Sequence, residues 1–266
     1  MTMSRPDPRT SLAMALLALL PLSFGAALAQ EPTRPPATSA IARVSPHVGE
    51  MAVALPESPA PAARRETLRF EPWEMLDELF RPDIVLLMRH GPTDWSKRDP
   101  KDVAAADCER QRVLSPAGAA NMRDLGLLLA GNGIKPSKIV VSEWCRGQQT
   151  LDNLLVGFET VEPGYGDLVE IETDPSLNLL LSLQGAPNVT ALRRRISSWT
   201  GEGKAGPLLI ISHFTNIAEI TEFNVYEGEI LIVDPKRANR VLGYLRLRSA
   251  APDVGHFEQG AAGIPR

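Results

Sequence analysis

Short runs of consecutive apolar residues, separated by segments with helical periodicity, limit the folds open to this chain. The runs lie at 83–88 (DIVLLM), 138–142 (KIVVS) and 208–212 (LLIIS). They do not alternate with polar residues, which is typical of parallel strands that are buried on both faces. The pattern therefore predicts an α/β fold, a three-layer α/β/α sandwich with a mainly parallel sheet.

Helices are predicted between these strands. One begins at Ser115-Pro116, which supplies an N-cap and a proline at the first helical position, and it ends near Gly131. In the next, the apolar residues from Leu151 to Phe158 recur at positions i, i+3, i+4 and i+7. The remaining predicted elements are a helix at 189–199 and strands at 168–171, 229–233 and 241–247.

The composition excludes several classes of protein. The 266 residues are 44% hydrophobic and 23% charged, which argues against a disordered or coiled-coil chain. Lys and Arg number 28 against 32 Asp and Glu, and this acidic balance argues against a nucleic-acid partner. Beyond the N-terminus no apolar run reaches the roughly 18 residues of a membrane span, so a polytopic membrane protein is excluded.

The first 29 residues have the features of a secretory signal peptide. Arg5 and Arg9 precede an apolar stretch at 12–22, and Ala27-Leu28-Ala29 forms an A-x-A cleavage site before Gln30. An uncleaved membrane anchor is the alternative. The signal predicts a periplasmic or secreted protein that keeps no stable membrane span after cleavage.

Composition also divides the rest of the chain. Residues 30–66 are rich in Pro and Ala and lack periodicity, so we expect a disordered linker. A catalytic domain is expected at 67–250 and a loose C-terminal tail at 251–266.

Chemically active side chains follow the predicted strands. Arg89 and His90 come after the first strand, Arg146 after the second, and His213 after the run at 208–212. Ligands of open α/β sheets bind beyond the carboxyl ends of the strands. Two histidines and two arginines at one crevice suit a phosphoryl group, because guanidinium groups match its oxygens and a neutral imidazole can accept it covalently. Arg112 is the most favourable further basic contact.

Four segments resemble the motifs of the histidine phosphatase superfamily, which contains phosphoglycerate mutases and acid phosphatases. The first, LMRHGPT at 87–93, resembles the L-x-R-H-G-x-T signature. The others are RVLSPAG at 112–118, SEWCRGQQT at 142–150, and IISH at 210–213 with Asn216 and Ile217. They occur in the family's order between residues 83 and 233, and the resemblance implies a phosphoglycerate mutase-like fold.

The resemblance also implies roles for individual residues. His90 is expected to become phosphohistidine, and Arg89, Arg146 and His213 are expected to hold the phosphate oxygens. Thr93 is expected to make an additional substrate contact.

One role of the family has no clear counterpart here, that of the general acid that protonates the leaving oxygen. Phe214 follows His213 where the acid-phosphatase branch has an aspartate. Asp174 lies in the interval in which the mutase branch carries a glutamate, but its position before Pro175 favours an ordinary turn or cap residue. Weaker candidates are Glu143, Asp94 and Glu219.

Cys108 and Cys145 are the two cysteines of the chain. Export would place them in an oxidising compartment, where either a disulfide or two separate buried thiols is compatible with the sequence. No Cys/His cluster has the spacing of metal ligands, so neither a metal nor another cofactor is expected.

These features predict an exported phosphomonoester hydrolase that acts on a small-molecule or glycolipid phosphate. Two alternatives stay open: a mutase or phosphotransferase using the same chemistry, and a catalytically silent phosphate-binding module. The sequence indicates neither the substrate nor the oligomeric state.

Overall fold

The structure is a computed structural model that describes residues 42–45, 50–53, 66–70 and 78–253. The predicted signal peptide at 1–29 lies outside the described residues, as do the remainder of the predicted linker and the tail after residue 253. No helix in the described ranges is both long and apolar enough to cross a membrane.

Four parallel strands form one half of the sheet. They are β4 (Val85–Arg89), β5 (Lys138–Val141), β6 (Glu170–Thr173) and β7 (Leu208–Ser212), in the spatial order β4-β7-β5-β6. Every residue of β4 and β7 is buried, as the apolar runs predict for strands with helices over both faces. Their carboxyl ends therefore meet at one edge of the sheet.

The other half of the sheet is antiparallel. Its strands are β1 (Ala42–Ser45), β2 (Glu50–Val53), β3 (Leu68–Phe70), β8 (Ile230–Asp234) and β9 (Arg240–Leu247), in the order β1-β2-β3-β9-β8, with β8 beside β4. The α/β class is confirmed, but the sheet is more mixed than the alternation of strands and helices predicts. A short connection joins β8 to β9, and such a connection permits only antiparallel pairing.

Two of these strands lie where a disordered linker is predicted. Residues 42–45 and 50–53 pair with each other, and 50–51 pair with β3. Their backbone groups extend an existing sheet edge, and this source of order does not depend on a long apolar run. The composition of 30–66 therefore does not reveal them.

Helices cover both faces of the sheet. On one face, α1 (Pro116–Gly131) and α2 (Cys145–Val161) share an apolar core with Leu86, Met88 and Ile211. On the other face, α4 (Thr190–Ser197) and α5 (Phe214–Thr221) pack against Val85 and Leu87. Successive strand residues thus serve opposite cores, which gives the predicted three layers.

Local signals fix the two helices nearest the sheet edge. Ser115 caps α1, and its Oγ accepts a hydrogen bond from the Gly118 N–H at 2.9 Å. At the contact of α1 with α2, a Cβ on Gly157 would lie 2.2 Å from the Arg123 carbonyl oxygen, so only glycine allows this approach.

The predicted strand at 168–171 is displaced, because 165–168 form the short helix α3 (Tyr165–Leu168) ahead of β6.

Candidate active site

The edge formed by the parallel strands brings the predicted arginines and histidines together. Arg89 ends β4 and His90 follows it, Arg146 lies in the first turn of α2, and His213 lies between β7 and α5. The His90 N–H donates to the Ser212 carbonyl at 3.1 Å, which fixes the turn after β4 beside β7. The rings of His90 and His213 lie 5.5 Å apart between centroids.

His90 presents an unprotonated nitrogen. Its Nδ1 lies 3.0 Å from the carbonyl oxygen of Gly91, and a carbonyl can only accept, so Nδ1 carries the proton in this contact. The Nε2 lone pair is then available to a ligand. The Gly91 N–H donates to Thr150 Oγ1 at 2.8 Å and holds this turn against α2.

His213 is oriented by a network of polar groups. Its Nε2 lies 2.9 Å from Ser142 Oγ, which in turn contacts the side-chain oxygen of Asn178 at 2.8 Å. The edge of the Trp144 ring system packs against the imidazole at 5.9 Å between centroids. These contacts leave Nδ1 of His213 as the ring nitrogen available to a ligand.

Burial and positive charge control the protonation of both histidines. Each is at most 2% exposed, and desolvation lowers the pKa of His90 and of His213 well below the ordinary value of 6.5. The neighbouring guanidinium groups of Arg146 and Arg89 lower both pKa values further. Burial also lowers the pKa of Arg146, to about 10, so this side chain remains cationic at pH 7.

Arg89 is anchored by one of its nitrogens. Nη1 donates to the Val225 carbonyl at 2.8 Å and to Asp253 Oδ2 at 2.6 Å. Nη2 lies 3.5 Å from Glu227 Oε1, outside hydrogen-bond geometry. Anchoring through Nη1 leaves the Nε and Nη2 donors of Arg89 for another acceptor.

Arg146 is anchored in the same way by a loop carboxylate. Its Nη1 donates to Asp99 Oδ2 at 2.9 Å and lies 3.4 Å from the Arg112 carbonyl. The other oxygen of Asp99 accepts from the Arg112 N–H at 2.7 Å. Asp99 therefore ties the loop at 94–112 to the start of α2.

Several buried nitrogens at this edge have no hydrogen-bond partner among the described residues. Buried polar groups are nearly always paired in native structures, so a cluster of unpaired donors indicates a site that a ligand completes. With two guanidinium groups present, the complementary ligand is an anion. The unpaired donors are Nε and Nη2 of Arg89, Nε of Arg112, Nε of Arg146 and Nε1 of Trp144, and Nδ1 of His213 is a further unpaired ring nitrogen.

Thr93 and Arg112, the predicted substrate contacts, lie at the side of this cluster. Thr93 Oγ1 donates to Glu227 Oε1 at 2.6 Å, and the Thr93 N–H donates to the other oxygen at 3.1 Å. The Arg112 guanidinium carbon lies 3.6 Å from the centroid of the Trp95 ring. The Thr93 hydroxyl group thus donates to Glu227, whereas Arg112 keeps an unpaired donor.

Cys108 and Cys145 are joined by a disulfide. The bond connects the loop at 94–112 to the first residue of α2, next to Arg146. The Cys145 N–H also donates to the Gln111 side-chain oxygen at 3.1 Å. The loop that carries Asp99 and Arg112 is therefore fastened beside the anion site.

Asp174, the first candidate for the proton donor, binds residues outside this cluster. One oxygen accepts from the Ser176 N–H at 2.8 Å, and the other pairs with Arg195 Nη2 at 2.5 Å. These contacts are those of a residue that caps the helical turn beginning at Pro175. Of the weaker candidates, Glu143 accepts from Asn178 Nδ2 at 2.8 Å, and Asp94 accepts from Ser96.

Three carboxylates at the site are not among the residues predicted from the sequence: Asp99, Glu227 and Asp253. Asp99 lies in a loop in which acidic and basic residues are mixed, so neither its position nor its charge distinguishes it. Asp253 lies in the predicted tail, yet it is only 7% exposed. The available signal was indirect: two arginines at the buried ends of strands need carboxylates as counter-charges.

A cavity of about 540 Å³ opens beside the buried cluster. Its lining includes Asp99, Arg112, Trp95 and Trp144. Trp144 contacts both the His213 ring and the Arg146 guanidinium, so the floor of the cavity lies next to the anion site. No group of three or more His, Cys, Asp or Glu side chains that could hold a metal ion occurs within the described ranges.

Comparison with known proteins gives a limited likeness. No family model and no curated protein matches the sequence. Among solved structures, the protein histidine phosphatase SixA complexed with tungstate is 22% identical, covers 61% of this chain and 94% of its own, and has a TM-score of 0.41. The putative phosphohistidine phosphatase SixA from Agrobacterium tumefaciens is 16% identical, with 65% and 99% covered and a TM-score of 0.41. A mycobacterial glucosyl-3-phosphoglycerate phosphatase is 13% identical, with 64% and 99% covered and a TM-score of 0.38. Likeness at these values assigns no activity to the chain.

Proposed function

We propose that this chain is an exported phosphomonoester hydrolase of the histidine phosphatase superfamily that works through a phosphohistidine at His90. The observation that carries the proposal is the neutral, buried imidazole of His90 beside unpaired arginine donors. A phosphate monoester carries nearly two negative charges at neutral pH, and its oxygens complement these donors.

In the first step, His90 Nε2 attacks phosphorus. A nitrogen–phosphorus bond forms as the bond from phosphorus to the ester oxygen breaks. Arg89 and Arg146 stabilise the charge on the non-bridging oxygens through their unpaired donors, and His213 donates to a third oxygen in the state in which its Nδ1 carries a proton. Because His90 is neutral at pH 7, no prior deprotonation is required.

Asp99 is our proposed proton donor to the leaving oxygen. Its carboxyl group lines the open cavity, through which we expect the leaving group to depart, and it lies 2.9 Å from Arg146 Nη1. Glu227 lies deeper and accepts hydrogen bonds from Thr93 and Trp95, which suits a positioning role. Asp99 has to hold a proton when the ester binds; it gives this proton to the leaving alkoxide and is left as the carboxylate that pairs with Arg146.

The second step returns the site to its starting state. Water attacks phosphorus from the cavity, the nitrogen–phosphorus bond breaks, and the water proton passes to the Asp99 carboxylate. The products are inorganic phosphate and free His90. Asp99 thus serves as acid in one step and as base in the next.

Export is part of the proposal. The disulfide between Cys108 and Cys145 is compatible with an oxidising compartment such as the periplasm. We infer that residues 1–29 are removed as a signal peptide, and the N-terminal sequence of the mature protein, expected to begin at Gln30, tests this inference.

Turnover of p-nitrophenyl phosphate tests the hydrolase assignment. His90→Ala is expected to abolish phosphate release, whereas Glu202→Gln, a change of an exposed loop residue, should leave it intact. A chelator should not inhibit the wild type, and strong inhibition would contradict the proposed mechanism. Isomerisation of a phosphoglycerate without phosphate release would favour a mutase. Tight phosphate binding without any turnover would favour the silent binding module.

A further inference from the structure

The mouth of the cavity combines exposed leucines with unpaired basic side chains. We use the term cavity rim for Lys97, Arg98, Lys101, Leu181 and Leu183. Four of these side chains line the cavity itself, and Leu183 lies beside them because its N–H contacts the Lys101 carbonyl at 3.4 Å. The rim therefore joins two loops across one opening.

The leucines of the rim are unusually exposed for their type. Leu181 and Leu183 are each 77% exposed, and only a few large apolar side chains of the described residues are comparably accessible. Leu181 and Leu183 lie in a loop built of consecutive turns, with one residue between them. In these turns the Ser182 N–H donates to the Leu179 carbonyl and the Gly185 N–H donates to the Ser182 carbonyl. Neighbouring exposed apolar side chains indicate an interaction surface more strongly than scattered ones do.

The cations of the rim form no close ion pairs within the described residues, although the positive charge of Lys97 lowers the pKa of Asp94. Lys97, Arg98 and Lys101 form no ion pair with another residue of the described part of the chain, although many other surface cations here are paired. The one carboxylate that lines the cavity is Asp99, which is already bound to Arg146. The rim therefore presents three cationic side chains that no close ion pair within the described residues holds.

Exposed leucines beside these cations fit one kind of partner, an anionic lipid surface. Apolar side chains enter the headgroup region of a bilayer, and Lys and Arg are attracted to anionic lipids. A soluble polyanion would account for the cations and leave the leucines unexplained. An apolar protein partner would account for the leucines and leave the cations unexplained.

We propose that the cavity rim docks on an anionic bilayer, so that the substrate is the phosphomonoester headgroup of a membrane lipid. This inference rests on the proposed phosphatase activity and specifies its substrate class. Docking would bring the cavity mouth to the headgroup layer, with Trp95 and Trp144 as apolar walls around the part of the lipid next to the phosphate.

Vesicle flotation tests the docking. The wild type should bind vesicles of phosphatidylcholine with phosphatidylglycerol and bind pure phosphatidylcholine weakly, and added salt should release it. Leu183→Asp should weaken binding by about tenfold or more, and Lys97→Gln, which removes one positive charge, should weaken it by about fivefold. The matched control is Leu168→Asp on α3, since Leu168 is 73% exposed outside the rim, and it should bind as the wild type does.

Two substrates separate this inference from the proposed function. Leu183→Asp should hydrolyse p-nitrophenyl phosphate at the wild-type rate and should lose about tenfold of its activity on phosphatidic acid in anionic vesicles. The docking would be overturned if the wild type did not bind vesicles, or if Leu183→Asp and Leu168→Asp bound them equally well. Turnover of p-nitrophenyl phosphate in the same experiment would still support the proposed phosphatase activity. Hydrolysis of a phosphopeptide in preference to phosphatidic acid would overturn the lipid substrate. Vesicle binding through the rim with no turnover of either ester would overturn the phosphatase and, with it, the substrate class.

Discussion

The guanidinium group of Arg89 is held by Asp253, with 2.6 Å between Nη1 and Oδ2. Arg89 ends the central strand β4 and is fully buried, whereas Asp253 lies beyond the last strand, β9. The bond occupies Nη1 and leaves the Nε and Nη2 donors unpaired. The end of the described chain thereby orients a predicted phosphate ligand.

Replacing this carboxylate should affect both stability and substrate binding. Asp253→Asn leaves Arg89 as a buried charge without its closest counter-ion, and such losses cost about 3 kcal/mol of unfolding free energy. Urea unfolding should show this decrease, and KM for p-nitrophenyl phosphate should rise as Arg89 loses its orientation. Glu202→Gln, on an exposed turn, is the control that should change neither quantity. An Asp253→Asn protein with wild-type stability and KM would show that the pair does not position Arg89.

Asp99→Asn tests the proposed proton donor. The amide cannot give a proton, and general acids contribute about 10²- to 10⁴-fold to rate, so kcat should fall by about 10²-fold or more on an alkyl phosphate. The loss should be small on p-nitrophenyl phosphate, whose leaving group needs little protonation. Asp102→Asn changes a largely exposed carboxylate of the same loop and should not alter the ratio of the two rates. Equal losses on both esters would assign Asp99 a structural role.

The disulfide should contribute stability by closing a long loop. Cys108 and Cys145 are 37 positions apart, for which the loop-entropy relation gives about 4 kcal/mol. Cys108→Ala combined with Cys145→Ala should lower the unfolding free energy by up to this amount. Reductant should destabilise the wild type and have no effect on the double variant. Unchanged wild-type stability in reductant would contradict the expectation.

The parallel half of the fold was predictable because its signals are local. Buried parallel strands need continuous apolar runs, and β4, β5 and β7 lie within one or two residues of the predicted ranges. Once these strands are parallel, their carboxyl ends must share an edge. The positions of Arg89, His90, Arg146 and His213 followed from this topology alone.

The remainder depends on contacts between distant segments. β1 and β2 are ordered by backbone pairing to a sheet edge, and side-chain composition does not encode such pairing. The partners Asp99 and Asp253 are charged residues in surface-like sequence, and only the folded chain brings them to Arg146 and Arg89. Asp174 lies in the interval expected for the proton donor, but its carboxylate forms an ion pair with Arg195 of α4.

The two site histidines should make stability depend on pH. Their pKa values lie well below 6.5 in the folded state, whereas in the unfolded chain each imidazole takes up a proton near pH 6.5. As the pH falls below this value, the unfolded state gains protons that the native state does not bind, so stability is lost at up to about 1.4 kcal/mol per pH unit for each histidine.

The comparison that isolates one histidine is the wild type against His90→Gln. Unfolding free energies measured from pH 7 to pH 5 should fall more steeply in the wild type, since the variant lacks one of the two groups. All other titrating groups are shared and cancel in the difference. Parallel slopes would show that His90 titrates normally in the folded protein.

Chemical trapping of the phosphoenzyme examines the role of His90 itself. The protein is mixed with a radiolabelled phosphomonoester for milliseconds, quenched in base, in which phosphohistidine is stable, and digested to locate the label. We expect one acid-labile phosphate per chain, located at His90, and none in His90→Ala. Label on a serine or aspartate, or steady phosphate release by His90→Ala, would contradict the phosphohistidine mechanism.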